Sequence, residues 1–176
     1  MHAWAQLYET HFHGLFRHLC YLTSDPVLSE DLAQETFARA LGGLARYGER
    51  ARFSTWLHGI AINVVRKARE RRRKADATQA RLEVESSAIP QSSELERRHL
   101  QKRRAAVLAR ILEQLPDHLR EAFVLRDLKG ESVPEAALQL GVTEANLRVR
   151  ACRARARVHD LLVAEGWIGA PQEKSE

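Results

Sequence analysis

Seven of the nine residues from Arg66 to Lys74 are Arg or Lys and one is Glu, so about two and a half helical turns carry a net charge of +6. Cations at that density neutralise the phosphates of a polyanion. A second set, Arg148, Arg150, Arg153, Arg155 and Arg157, recurs toward the C-terminus, interleaved with Asn146, Val149 and Cys152. Guanidinium groups there suit phosphate oxygens, and small or polar side chains between them suit base edges. Chemistry of other kinds finds no support. The chain contains no GxGxxG, P-loop, HExxH or nucleophile elbow, so no catalytic residue and no cofactor is expected. His11, His13, His18 and Cys20 make no metal site, because a seven-residue step moves about 10 Å along a helix; His11 and His18 fall on or beside an apolar stripe and are expected to pack.

The elements that carry these cations are helices. Apolar residues repeat at three or four residues throughout and almost no strand-like alternation occurs. Trp4, Leu7, Tyr8, Phe12, Leu15, Phe16, Leu19 and Leu22 make a first stripe, which TSDP ends. Ser24 or Asp25 can cap the next helix, with Pro26 in its first turn. That helix is expected over Pro26 to Leu41, with Leu28, Leu32, Phe37, Ala40 and Leu44 turned inward and Gly42 and Gly43 at its end. Ser54 is the expected N-cap of a third helix, whose stripe is Trp56, Leu57, Ile60, Ala61, Val64 and Val65. A first domain spans residues 1–74.

Residues 75–96 contain five acidic residues and one Arg, with SSAIPQSS in the middle, and 75–93 reads as a flexible acidic linker. Ser93 and Glu96 form a possible capping box opening a helix that runs to Leu115. A second domain, 94–165, follows. Pro116 starts a helix that Gly130 ends, Ser132 and Glu135 form another possible box, and Gly141 separates two more helices, the last over about Glu144 to Ala164. A short helix, a Gly-containing turn and a longer basic helix match a helix-turn-helix. On the last helix Leu147, Ala151, Ala154, Val158, Leu161 and Leu162 fall within an arc of about 100 degrees, opposite Asn146, Val149, Cys152 and Arg153. Residues 166–176 read as a tail. The expected fold is all-α: two small helical domains, the second containing the helix-turn-helix.

Net charge of +5 and a pI near 9.6 favour an anionic partner. No apolar run approaches the roughly 20 residues that span a bilayer, and the N-terminus lacks signal-peptide order, so direct membrane insertion is not expected and the chain is placed in the cytoplasm. Two cysteines without a CxxC pair fit a reducing compartment.

Taken in order, SEDLAQETFARAL, RFSTWLHGIAINVVRKARERRRK and LPDHLREAFVLRDLKGESVPEAALQLGVTEANLRVRACRARARV resemble the extracytoplasmic-function sigma factors of bacterial RNA polymerase, over nearly the whole chain. The resemblance implies that the first segment binds core polymerase, the second reads and melts the minus-10 element, and the third reads the minus-35 element. By position, core binding falls on Asp31, Gln34 and Glu35, an acidic patch facing away from Leu28, Leu32 and Phe37. Minus-10 binding falls on Phe53 and Trp56, which can stack unpaired bases, on Asn63, whose amide donates and accepts, and on Arg66, Lys67, Arg69 and Arg73, which neutralise phosphates. Minus-35 binding falls on Asn146, Arg148, Val149, Arg150, Cys152 and Arg153. The commonest family pattern has Thr, Ser and His where this chain has Asn146, Val149 and Cys152, so a different minus-35 preference is expected, and modification of the Cys152 thiol would block the groove contact. The acidic linker is either a spacer or, as the resemblance implies, a segment threaded through polymerase.

The implied partners are core RNA polymerase, promoter DNA and an anti-sigma factor, with the free chain a monomer. Two other functions compete: a stand-alone helix-turn-helix regulator binding operator DNA, for which no dimerisation seam is evident, and a non-specific RNA-binding protein.

Overall fold

Residues 2–49, 51–78 and 95–168 are described by the computed structural model. Seven α-helices account for nearly all of them: α1 (His2–Thr23), α2 (Pro26–Gly43), α3 (Phe53–Thr78), α4 (Leu95–Glu113), α5 (Asp117–Phe123), α6 (Val133–Leu140) and α7 (Glu144–Ala164). A 3-10 turn, Leu44–Arg46, follows α2, and a π-helical turn, Val124–Leu128, continues α5.

The caps explain most boundaries. The Asp25 carboxylate accepts the Leu28 N–H at 3.0 Å with Pro26 at the first turn, so Asp25 is the cap and Ser24, at φ 58°, is the bend before it. Ser132 and Glu135 make the reciprocal capping box of α6, and Gly141, at φ 66°, ends that helix in the left-handed conformation that glycine adopts at least cost. Thr143 caps α7 by accepting the Asn146 N–H at 3.2 Å.

Three expectations need correction. Ser54 does not cap α3: the helix already includes Phe53, and the Arg52 carbonyl takes the first bond, from the Trp56 N–H. Leu44 lies in the 3-10 turn and is 37% exposed, because the tighter winding after α2 takes it out of phase with the α2 stripe. The third helix also runs past Lys74 to Thr78, since nothing before that residue breaks it. The rest of the acidic segment, including Ser93, and the tail beyond residue 168 lie outside the described residues.

In the first half, Leu15, Leu19 and Leu22 of α1 meet Leu32, Phe37 and Ala40 of α2 and Leu57, Ala61, Val64 and Val65 of α3. In the second, Ile111 and Leu112 of α4, Ala122 to Leu125, Leu140 of α6 and Leu147, Ala154 and Val158 of α7 form the helix-turn-helix core. Both sets belong to one contiguous cluster of buried apolar residues. The halves therefore pack against each other, mainly α3 on α6, with α1 touching α4 and the π-helical turn.

α3 accommodates this by burying a second stripe. Thr55, His58, Ile62, Arg66, Arg69 and Arg73 lie within about 80 degrees of one another around the axis. Thr55, His58 and Ile62 are buried, and the three arginines continue the line toward the C-terminal end.

The two faces of α7 should separate in stability measurements. Leu147 is 0% exposed and Val149 is 49% exposed. Leu147→Ala should cost about 3 kcal/mol in urea unfolding and Val149→Ala less than about 0.5 kcal/mol.

Candidate nucleic-acid interface

Two basic surfaces result, in different states. On α7, Asn146, Val149, Cys152 and Arg153 are exposed on the side away from Leu147, Ala151 and Ala154, with exposed Arg148 and half-buried Arg150 on its flanks. Arg148 pairs with Glu144 one turn back at 2.9 Å, and Cys152 forms no disulfide. His118, from α5, borders the same groove with Asn146, Val149, Arg150 and Arg153, a cavity of about 510 Å³. The expected minus-35 set thus lines the solvent-facing side of α7, with His118 added from a helix that the arginines of α7 gave no reason to include.

The other surface lies on α3 and is engaged. Arg66 makes a bidentate pair with Glu121 of α5, Nε to Oε1 at 2.9 Å and Nη2 to Oε2 at 2.7 Å. Its guanidinium also lies 3.4 Å from the Leu140 carbonyl at the end of α6. Arg69 Nη1 is 2.8 Å from Asp117 Oδ1, and Arg73 Nη2 donates to Asp117 Oδ2 at 2.6 Å. Lys67 is exposed on the adjoining face. The Glu121 bonds raise the Arg66 pKa above its usual value, whereas burial is the main cause that lowers those of Arg69 and Arg120.

Arg120 fastens the same seam from the other side. It donates to the Leu22 carbonyl at 2.7 Å and to the Glu113 carbonyl at 2.9 Å, and Arg69 also donates to Leu22. Two cations therefore converge on the C-terminal end of α1, where the helix dipole is negative.

Above the arginines, a cavity of about 820 Å³ opens between α3 and α6, walled by Tyr47, Trp56, Asn63 and Arg66 on one side and Gln139 and Leu140 on the other. Asn63 is exposed into it. Trp56 lies across Gly43, where an added Cβ would sit 3.4 Å from its ring, and contacts the Tyr47 ring at 5.0 Å between centroids. Phe53 instead packs among His11, Tyr47 and Trp56 and does not line the cavity. Tyr47, held by its hydroxyl donating to the Ala51 carbonyl at 2.6 Å, went unnoticed in the sequence although the adjacent Gly48 marked the turn that presents it.

At the far end of the seam, His58 accepts from Lys129 at 2.8 Å and its ring meets that of His18 at 4.9 Å. The π-helical turn delivers Lys129 to this point. His18 is fully buried without a hydrogen-bond partner among the described residues, as packing predicted, and burial holds its pKa well below the usual value. Burial, then Lys129 and His11, push that of His58 down to about 3. Lys129 in turn faces Glu131 at 3.2 Å.

The expected polymerase patch is surface: Asp31 and Gln34 are exposed, and half-buried Glu35 pairs with Arg39 and, at 3.8 Å, with Arg71 of α3. Among the described residues no cluster of His, Cys, Asp and Glu could hold a metal, and no helix is long and apolar enough to cross a membrane.

Comparison with known proteins gives a consistent family. The chain matches "Sigma-70 region 2" over residues 7–75 and "Sigma-70, region 4" over residues 105–158. It is 34% identical to the ECF RNA polymerase sigma factor SigM of Mycobacterium tuberculosis, over 92% of this chain and 78% of that one. It is also 34% identical to the probable RNA polymerase sigma factor RfaY of Xanthomonas campestris, over 81% of this chain but only 36% of that protein's length. The fold is similar to that of the sigma factor RpoE of Bartonella quintana, solved in complex with the anti-sigma factor NepR: TM-score 0.74, 23% identity, covering 92% of this chain and 98% of that one.

The buried imidazoles set a pH dependence. Their folded pKa values lie below the unfolded value of about 6.5, so their contribution is fully present above that pH and is lost as pH falls below it, where only the unfolded chain takes up protons, down to about 3 for His58. For His58 alone, stability in urea should drop by about 2 kcal/mol from pH 7.5 to pH 5, and His58→Gln should flatten that drop.

Proposed function

Since the chain belongs to the extracytoplasmic-function sigma factors of bacterial RNA polymerase, we propose that it joins core polymerase through α2, opens and reads the minus-10 element with α3, and reads the minus-35 element with α7. The single observation that carries this reading is the coexistence, in one small chain, of an exposed helix-turn-helix face and an aromatic-walled cavity beside a cationic helix.

Asn146 and Val149 point into the groove that would receive duplex DNA, where an amide can pair with adenine and a methyl-bearing side chain can meet thymine. Arg148, Arg150 and Arg153 flank them for phosphates or guanine, with Cys152 on the same face. In α3, Trp56 and Tyr47 offer rings for stacking, Asn63 an amide for a base edge, and Arg66, Lys67, Arg69 and Arg73 charge for the backbone. Phe53 acts through the packing of Trp56 and Tyr47. Asp31, Gln34 and Glu35 supply a polar surface on α2 to polymerase, and an anti-sigma factor is the restraint that the family resemblance implies.

A stand-alone regulator or an RNA-binding protein would have no use for the acidic face of α2 or the Trp56 cavity. Reconstitution decides: the chain added to core polymerase should produce transcripts with one defined start from its promoter, and a chain that bound DNA yet directed no transcription would sink the reading. In the same assay, Arg66→Ala should weaken promoter binding on every sequence and lower its salt dependence by about one unit of slope, while Asn63→Ala should change the minus-10 preference. An unaltered base preference in Asn63→Ala would remove Asn63 from the pocket.

A further inference from the structure

The two DNA-facing surfaces are not equally available. Asn146, Val149, Cys152 and Arg153 on α7 are open to solvent, whereas three of the four cations proposed for the minus-10 backbone are held by carboxylates of the chain's own second half. Asp117 and Glu121 lie one turn apart on α5, so a pair of negative charges faces Arg66, Arg69 and Arg73 from a single helix face. Glu121 is 3% exposed and its bidentate geometry with Arg66 is that of a guanidinium on a carboxylate or a phosphate. Gln139 and Leu140 of α6 meanwhile form the opposite wall of the cavity into which Asn63 and Trp56 face.

We propose that the α5–α6 surface is an internal substitute for the minus-10 strand: Asp117 and Glu121 occupy the positions of its phosphates, α6 covers the base pocket, and the free chain is thereby closed to minus-10 DNA while remaining open to minus-35 duplex. This rests on the assignment of α3 to minus-10 DNA made above. The closure is reversible because it is ionic where DNA must enter. Separating the halves exchanges carboxylates for phosphates on the same guanidinium groups, so the arginines are never left buried without a partner. Arg120 and Arg69 on the Leu22 carbonyl, and Lys129 on His58, fix the seam on either side.

The close approach of α3 to α6 supplies the test. A Cβ built on Gly59 would lie 3.8 Å from the Gln139 Cα, within reach of a disulfide. The full chain carrying Gly59→Cys and Gln139→Cys is compared with itself, oxidised and reduced, the link being verified by mass spectrometry. The probes are a fluorescein-labelled single strand bearing the minus-10 element mapped by reconstituted transcription, and a minus-35 duplex. Oxidation should weaken strand binding at least about tenfold, as expected when the open fraction that binds is removed, leave duplex binding within about twofold, and be reversed by reductant. Independently, Asp117→Asn with Glu121→Gln should strengthen strand binding by about tenfold, if about one molecule in ten is open in the unaltered chain. Equal strand affinity of the oxidised and reduced forms overturns the closure. Lys67→Ala in the reduced chain, which removes a proposed backbone cation without touching the seam, separates the two ideas: weakened strand binding there together with indifference to the cross-link refutes closure alone. Strand binding unaffected by Lys67→Ala refutes the assignment of α3 itself.

Discussion

The bidentate pair between Arg66 and Glu121 is the interaction on which the arrangement of the molecule turns. A carboxylate as buried as Glu121 is stable only with a well-aligned cation, and a guanidinium is the side chain that satisfies both oxygens at once. Once that pair forms, the carboxylate face of α5 is held toward the arginines of α3. Asp117, one turn earlier, then reaches Arg69 and Arg73, Arg120 reaches the end of α1, and α6 is brought to the cavity beside Trp56.

α3 consequently serves three surfaces with one sequence. Leu57, Ala61, Val64 and Val65 anchor it in the first half, and Thr55, His58 and Ile62 turn toward the second. Asn63 and Lys67 remain exposed. A helix offers these directions simultaneously because its side chains project every 100 degrees, and α3 is long enough, at 26 residues, to change from an apolar contact at one end to an ionic one at the other. On the proposed reading such an element suits opened DNA, because a segment that holds it has to be rigid, which requires a core, and cationic, which requires a face kept out of it.

Much was legible beforehand. The helices, a cap at Ser24 or Asp25, the Ser132 capping box, the Gly141 turn and the core stripe of α7 all follow from residues within one or two turns of each other, and local rules decide them. The acidic patch on α2 and the exposed face of α7 were likewise placed by phase alone. Less visible were residues whose role depends on a distant partner. Tyr47 and Gln139 meet across the cavity although no pattern links them, and His118 joins the α7 groove from another helix. Ser54 was misread because its type suits a cap while the Arg52 carbonyl starts the helix two residues sooner.

The sequence by itself determined that the chain is helical, that α3 and α7 are basic, and which family they resemble, since helical phase and charge are properties of neighbouring residues. Only the tertiary structure decided which of those cations are occupied. The partners of Arg66 and Arg73 lie 55 and 44 residues away, and their pairing depends on burial and alignment that no local pattern encodes.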